Sequence, residues 1–265
     1  MLVKEKVMKK RSNVLALAVL LAVTGSVSAA DEAKPKEKSP WKSSVELGFI
    51  RTTGNTETQT TALKADVVYE VEKWRHTGHA EGYGQESEDA TTGETVVSAE
   101  RYELTGKSDY KFSELDYAFG QIKLKKDRFS GFEYENSLSL GYGRKAIKQD
   151  NMELDLEIGP GVRFVKPDDG ESDSEALLVL AAKYWWAITD NSKFLQDLYF
   201  DIGEEYTESK SVSGVQANIN KTLALKFTYT IRHKSKVPDP VTTEKTDTEV
   251  AMTLVYNFLA VDLQK

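Results

Sequence analysis

The sequence predicts an all-β chain, a single antiparallel transmembrane β-barrel of about twelve strands preceded by a cleaved signal peptide. Three observations lead there: an export leader at the N-terminus, an apolar period of two through the rest of the chain, and links that alternate between short and long.

The leader is read first, because it must be set aside before the fold is considered. Lys4, Lys6, Lys9, Lys10 and Arg11 precede the apolar run 14–23, and Thr24-Gly25-Ser26 lead into Val27-Ser28-Ala29-Ala30, small residues of the kind signal peptidase accepts. An apolar run of roughly ten to twelve residues is too short for a helix across a ~30 Å hydrocarbon core. Residues 1–30 are therefore expected to be a signal peptide. Residues 31–40 (DEAKPKEKSP) mix charges with two prolines, cannot bury apolar surface and are expected to form a flexible linker. The folded unit is expected over 41–265 as one barrel-sized domain.

Charge narrows the partners. The net charge is −7, and the leader contributes +4 to it, which leaves about −11 for the mature chain. An acidic chain without a basic cluster argues against a nucleic-acid partner, since phosphate neutralisation needs grouped Lys and Arg. There is no cysteine, hence no disulfide framework, thiolate metal site or cysteine for lipid attachment.

Strands follow from alternation. Leu63, Ala65, Val67, Tyr69 and Val71 share one face while Lys64, Asp66, Glu70 and Glu72 occupy the other. Leu154, Leu156, Ile158, Val162 and Phe164 oppose Glu153, Asp155, Glu157 and Arg163. Leu223, Leu225, Phe227, Tyr229 and Ile231 alternate with Ala224, Lys226, Thr228, Thr230 and Arg232, and Val250 to Phe258 repeat the pattern. Bounded by turn residues, strands are predicted at 43–53, 57–72, 74–88, 94–112, 115–127, 131–147, 151–166, 174–189, 194–208, 210–220, 222–236 and 246–259. The third, with Gly78, Gly82 and Gly84, has the weakest pattern. Longer links at 88–94, 127–130, 167–174 and 236–247 alternate with short ones at 113–114, 149–150, 190–192 and 220–221, as in outer-membrane barrels with both termini in the periplasm. The tight Gly54-Asn55-Thr56 hairpin departs from that trend.

Alternation has the same parity in a membrane barrel, apolar outside, and in a soluble carrier barrel, apolar inside. Strand number separates them, because twelve strands would leave a soluble barrel with a wide apolar cavity, whereas a wet or ion-paired lumen is stable. Tyr117, Tyr134, Tyr142, Tyr184, Trp186, Tyr206, Tyr229 and Tyr256 lie towards strand ends or along the apolar faces, as interfacial aromatics do. The charged faces (Lys64, Asp66, Arg101, Glu103, Lys107, Asp109, Glu133, Glu135, Glu153, Glu157, Arg163, Lys226 and Arg232) are then expected to line the lumen.

Several runs resemble one family. They are GFIRTTGNTET within 41–73, Tyr110 to Glu114 with Tyr117-Ala118-Phe119-Gly120, Gly131-Phe132, Ser139 to Arg144, Gly159-Pro160-Gly161, and Lys245 to Glu249 with Leu254 to Phe258. Together they resemble the DUF481 family, described as salt-induced outer-membrane proteins of Gram-negative bacteria, over essentially the whole mature chain. The resemblance implies localisation and architecture, not a chemistry. Outer-membrane barrels commonly end in an aromatic residue read by the assembly machinery; here 259–265 continue past Phe258, so Tyr256 and Phe258 are expected to be read internally.

Catalytic candidates are few. His76, His79 and His233 are the only histidines. His76 and His79, three apart on a strand, point to opposite faces and cannot share a metal or proton relay, and His233 beside Arg232 and Lys234 reads as a solvated rim. Gly-Tyr-Gly at 141–143 and Gly-Pro-Gly at 159–161 precede no helix, so they read as places where small residues relieve crowding, not as phosphate loops. Glu153, Asp155 and Glu157 are expected to be matched by Lys and Arg across the lumen. No catalytic, cofactor or metal site is assigned. The expected function is a non-enzymatic outer-membrane barrel for envelope maintenance or small-solute passage under salt or osmotic stress. Its expected partners are outer-membrane lipid and, during insertion, the assembly machinery. The alternatives are an outer-membrane hydrolase of phospholipase or protease type and a soluble periplasmic lipid carrier.

Overall fold

The computed structural model describes residues 39–52, 58–88, 92, 94–237 and 244–258. The expected signal peptide, nearly all of the 31–40 linker, the Gly54-Asn55-Thr56 hairpin and the tail beyond Phe258 lie outside the described residues. Alternating side chains give twelve strands: β1 (Trp41–Thr52), β2 (Thr58–Glu70), β3 (Trp74–Glu88), β4 (Thr95–Lys111), β5 (Asp116–Asp127), β6 (Phe132–Gln149), β7 (Met152–Pro167), β8 (Asp173–Thr189), β9 (Ser192–Gly203), β10 (Thr207–Asn218), β11 (Leu223–Lys234) and β12 (Thr246–Asn257). Each pairs antiparallel with its neighbour in sequence, and β12 returns to β1 to close the barrel. Closure satisfies most backbone groups within the sheet, as a hydrocarbon surrounding requires.

Links at one end, here the turn end, are 71–73, 112–115, 150–151, 190–191 and 219–222; at the other, the loop end, they include 128–131, 168–172, 204–206 and 235–245. Local chemistry makes the turns. Asn220 Oδ1 accepts from the backbone N–H groups of Thr222 and Leu223, both at 2.9 Å. Ser113 Oγ accepts from Asp116 N–H at 2.9 Å. Gly131, at φ 79°, takes a left-handed conformation that a side chain would strain.

The wall is apolar outside and mostly polar or charged inside, with an apolar strip of Leu177, Val179 and Ala181 on β8. Leu140 is 69% exposed and Leu156, Ile158, Leu225, Phe227, Met252 and Leu254 are likewise exposed, whereas Glu81, Arg101, Lys107, Asp109, Glu157, Arg163 and Arg232 are buried in the lumen. The predicted orientation therefore holds, and an apolar-inside carrier is the reverse of it. β3 spans the predicted 74–88. β9 and β10 do not match their predicted bounds: the hairpin falls at 204–206, because Gly203 ends β9 while Ser209 and Lys210 stay in the ladder opposite Phe200 and Tyr199.

Two aromatic residues and one carboxylate are also corrected. Tyr117 and Tyr206 are buried in the lumen, since they share parity with Lys123 and Glu208 and not with the lipid-facing residues. Glu133 sits at the loop-end rim with Lys166, displaced from the lumen by the irregularity in β6 between Phe132 and Tyr134.

Candidate functional site

The candidate site is the lumen, and its chemistry grows from which strands face each other. At the turn end, β3 to β7 bring together Arg75, 2.6 Å from Asp109 and 3.5 Å from Asp155, and Lys107, paired with Asp109 at 3.1 Å and with Glu157. Tyr117 donates to Glu157 at 2.8 Å, and Lys145 lies 2.7 Å from Glu153. The carboxylate row on β7 is thus matched by Lys145 from neighbouring β6 and, across the lumen, by Arg75 of β3 and Lys107 of β4.

The two glycine motifs make this cluster possible. A Cβ on Gly143 would lie 2.3 Å from the Tyr117 ring, and one on Gly141 would lie 2.6 Å from the Phe119 ring and 2.4 Å from the Ile158 carbonyl oxygen. A Cβ on Gly159 would lie 2.0 Å from the Leu140 carbonyl oxygen. The β6–β7 ladder skips from Ser139–Gly161 to Tyr142–Ile158 around Pro160, which has no N–H to donate. The glycines therefore leave space for inward aromatic rings and close backbone approach, as expected of crowded wall positions.

Midway, four side chains form a ring. Arg101 of β4 donates to Glu81 of β3 at 3.1 Å and to Glu249 of β12 at 2.9 Å; Arg232 of β11 donates to the same two carboxylates at 2.9 and 3.1 Å. Lys210 of β10 approaches Glu81 at 3.5 Å and Glu103 at 3.7 Å. Towards the loop end the lumen is spanned again. Lys123 pairs with Asp201 at 2.8 Å, Lys125 with Glu208, and Lys234 with Glu135 at 2.7 Å. Tyr206 donates to Glu135 at 2.5 Å and lies under the Arg163 guanidinium, 4.0 Å from it. These contacts join β5 and β6 to β9, β10 and β11 on the far side of the barrel. At the rim, Lys236 lies 2.8 Å from Glu205, and that hydrogen bond raises the pKa of its ammonium group.

The histidines separate as their spacing predicts. His79 faces the lumen, 2.7 Å from Asp66, while His76 faces outward. His233 meets Thr246 at 2.8 Å on the outer rim. Sequence reasoning missed one contact: His76 Nδ1 lies 2.8 Å from Ser108 Oγ, which is 32 residues away and becomes a neighbour only through β3–β4 register. That pair sits in an outward groove of about 1200 Å³ bordered by Trp41, Tyr69, Gly78, Gly106 and Gly120. Around it the Trp41 ring packs tilted against Tyr69 at 4.7 Å and Trp74 tilted against Tyr110 at 5.1 Å, an aromatic girdle at the turn end. Among the described residues no group of three or more His, Cys, Asp or Glu is arranged to hold a metal ion.

A family model described as "Protein of unknown function, DUF481" matches residues 45–258. The uncharacterized protein YdiY of Escherichia coli (strain K12) is 30% identical over 220 residues, covering 83% of this chain and 84% of that protein. Among solved structures, the NanC porin in a rhombohedral crystal form has a TM-score of 0.51 at 9% identity and covers 81% of this chain and 98% of that one. The COG4313 outer membrane channel from Pseudomonas putida F1 has a TM-score of 0.50 at 12% identity, covering 88% and 100%. At such identities the likeness is one of fold.

Proposed function

The chain belongs to the DUF481 family, and from that premise we propose that it is a non-enzymatic outer-membrane barrel, with its loop end outside the cell and both chain ends in the periplasm. Its role in this reading is envelope maintenance or passage of small solutes, with salt or osmotic stress as the setting. The observation that carries this reading is the lumen itself, lined by charges of both signs that pair across it. Such a wall is largely polar, apart from inward Leu177, Val179 and Ala181 on β8, and among the described residues the groups that obstruct it are side chains. Half-buried Lys193, Asp197 and Tyr199 of β9 face the same space.

The His76–Ser108 pair does not support a hydrolase. A nucleophile–base pair needs an orienting third group and oxyanion donors, yet both residues lie within the β3–β4 ladder, whose backbone N–H groups are spent on strand pairing. Outer-membrane lipid around the apolar band and the assembly machinery acting on Tyr256 and Phe258 are the partners this reading requires.

Planar-bilayer conductance tests it. Native protein should give small steps, and Lys125→Ala with Lys210→Ala, which removes two cross-lumen cations, should give larger ones. A barrel silent in both forms would remove solute passage. Outer-membrane fractionation with heat-modifiable migration tests the location, and recovery in the soluble periplasmic extract would contradict it.

A further inference from the structure

The barrel is closed unevenly. β1 pairs with β2 along its whole length, from Trp41–Tyr69 to Thr52–Thr58, and β12 pairs with β11 from Leu223–Tyr256 to His233–Thr246. Between them, β1 and β12 pair only from Ser44–Asn257 to Gly48–Thr253. Beyond Gly48 the facing edges, 49–52 and 249–252, share no ladder. A Cβ on Gly48 would lie 3.0 Å from Thr253 Cγ2, so the last paired point is tight and the strands part directly above it.

This gap lies beside lipid-facing residues. Phe49, Val250 and Met252 flank it and are 62, 53 and 54% exposed, and Met252 and Val250 stand opposite outward Phe227 and Tyr229 on β11. Unpaired strand edges are not tolerated against hydrocarbon unless something covers them or water reaches them from a cavity. Here the lumen lies directly behind, with small inward residues Gly48, Ala62, Ala251 and Thr253 on its wall.

Polar atoms at the same level lack partners. Thr230, 1% exposed and opposite Glu249 in the β11–β12 ladder, has no partner for its hydroxyl, and neither Glu249 Oε1 nor Arg101 Nε has one. The ring Glu81–Arg101–Glu249–Arg232 takes two members from β3 and β4 and two from β11 and β12, so it spans the seam from inside. In the paired lower part, Glu46 of β1 is also held by Lys226 at 2.8 Å and by Thr253 at 3.3 Å. Above Gly48, among the described residues, side chains alone hold the two sides together.

We infer that the β1–β12 seam is a lateral opening through which the acyl chain of a membrane lipid in the leaflet at the loop end reaches the lumen, latched by the Glu81–Arg101–Glu249–Arg232 ring. The unpartnered hydroxyl, carboxylate oxygen and guanidinium nitrogen offer its polar head one donor–acceptor, one acceptor and one donor. This rests on the proposed outer-membrane location but goes beyond axial passage, since it names a lipidic occupant and a path through the wall.

The test uses the full mature chain in phosphatidylcholine vesicles containing phosphatidylcholine with a mid-chain diazirine, irradiated and mapped by mass spectrometry. Adducts on outward Leu138 and Leu140 serve as the internal standard. Adducts on inward Ala251, Thr253 and Thr230 are expected at a level within about tenfold of that standard. The chain has no cysteine, so Phe49→Cys with Met252→Cys, which continue the β1–β12 register, can lock the seam on oxidation. Locking should reduce inward adducts severalfold, and reductant should restore them. Glu81→Ala should raise them.

Adducts confined to outward residues in the native protein overturn the inference without recourse to any variant, as do inward adducts that the oxidised pair leaves unchanged. Conductance recorded on the same protein separates the two readings. Conductance without inward adducts keeps axial passage and overturns the seam, and inward adducts without conductance do the reverse.

Discussion

Glu81→Ala is the most informative single substitution. Glu81 is 6% exposed and accepts from Arg101 and Arg232 at 3.1 and 2.9 Å, with Lys210 at 3.5 Å and Lys64 at 3.9 Å beside it. Truncation removes one of the two carboxylates that the arginines share and leaves both cations on Glu249. Breaking a buried pair by removing one partner costs about 3–5 kcal/mol, mostly for the charge left behind. The same substitution at Glu205, whose rim pair with Lys236 has both side chains about two-thirds exposed, should leave stability unchanged within error. Glu81→Gln should fall between, because an amide oxygen still accepts from guanidinium. Denaturant unfolding from lipid vesicles, with Glu81→Ala, Arg232→Ala and the double variant, gives both the cost and the coupling. A cost below about 1 kcal/mol, the range of solvent-exposed pairs, would mean the ring is hydrated and does not hold the wall together, and the reasoning about the lumen would fall.

Other outcomes follow from single contacts. Gly143→Ala should destabilise by about 1–3 kcal/mol through overpacking and be rescued by Tyr117→Ala, since a ring is the obstacle; Gly159→Ala should not be rescued by any side-chain truncation, since a backbone carbonyl is the obstacle. The same unfolding assay reads both. Leu138→Arg on the lipid face should cost about 2–4 kcal/mol if it lies near the bilayer midplane, and an unchanged unfolding midpoint would contradict the apolar-outside assignment. Phe258→Ala, which removes the exposed ring packed at 4.7 Å against Tyr256, should lower the inserted, heat-modifiable fraction in cells, and full insertion would argue against internal reading of that pair.

The outer face was legible because lipid imposes one requirement on every position it touches. Val250, Met252, Leu254 and Tyr256 need only be apolar at every second residue, and a period can be counted without knowing a partner. The lumen obeys a different rule. Lys125 is satisfied by Glu208 from the far side of the barrel, and Glu81 by Arg232, 151 residues away. The sequence shows that charges must be matched, as at Glu153, Asp155 and Glu157, but not which strands face each other. Parity also fails where register slips: Phe132 and Glu135 are both buried although they differ by an odd number, because the β6–β7 register shifts between Phe132 and Tyr134. The β9–β10 hairpin differs for another reason: the expected break at Ser209 lies inside β10, where Ser209 pairs with Phe200, and Gln196 hydrogen-bonds Ser211 at 3.2 Å and Ser213 at 2.6 Å across the ladder, which keeps the polar run extended.

Strand length connects these features to the seam. A crossing needs about 9 to 11 tilted residues. β4, β6, β7 and β8 have 17, 18, 16 and 17, enough to project beyond a bilayer, whereas β1 and β9 to β12 have 12 each, enough to cross with little to spare. The unpaired edges of β1 and β12 therefore sit on the low side of the wall, where the stretch above Gly48 cannot lie in a hydrated projection as the ends of β6 and β7 do. The cross-lumen ion pairs anchor β5 and β6 to β9, β10 and β11, but among the described residues they reach β12 only through Glu249 and β1 only through Glu46. Mechanical constraint is thus weakest where backbone pairing is also missing. A rigid plug would need no such asymmetry, and a barrel built to admit a lipid chain sideways would concentrate its freedom at that one junction.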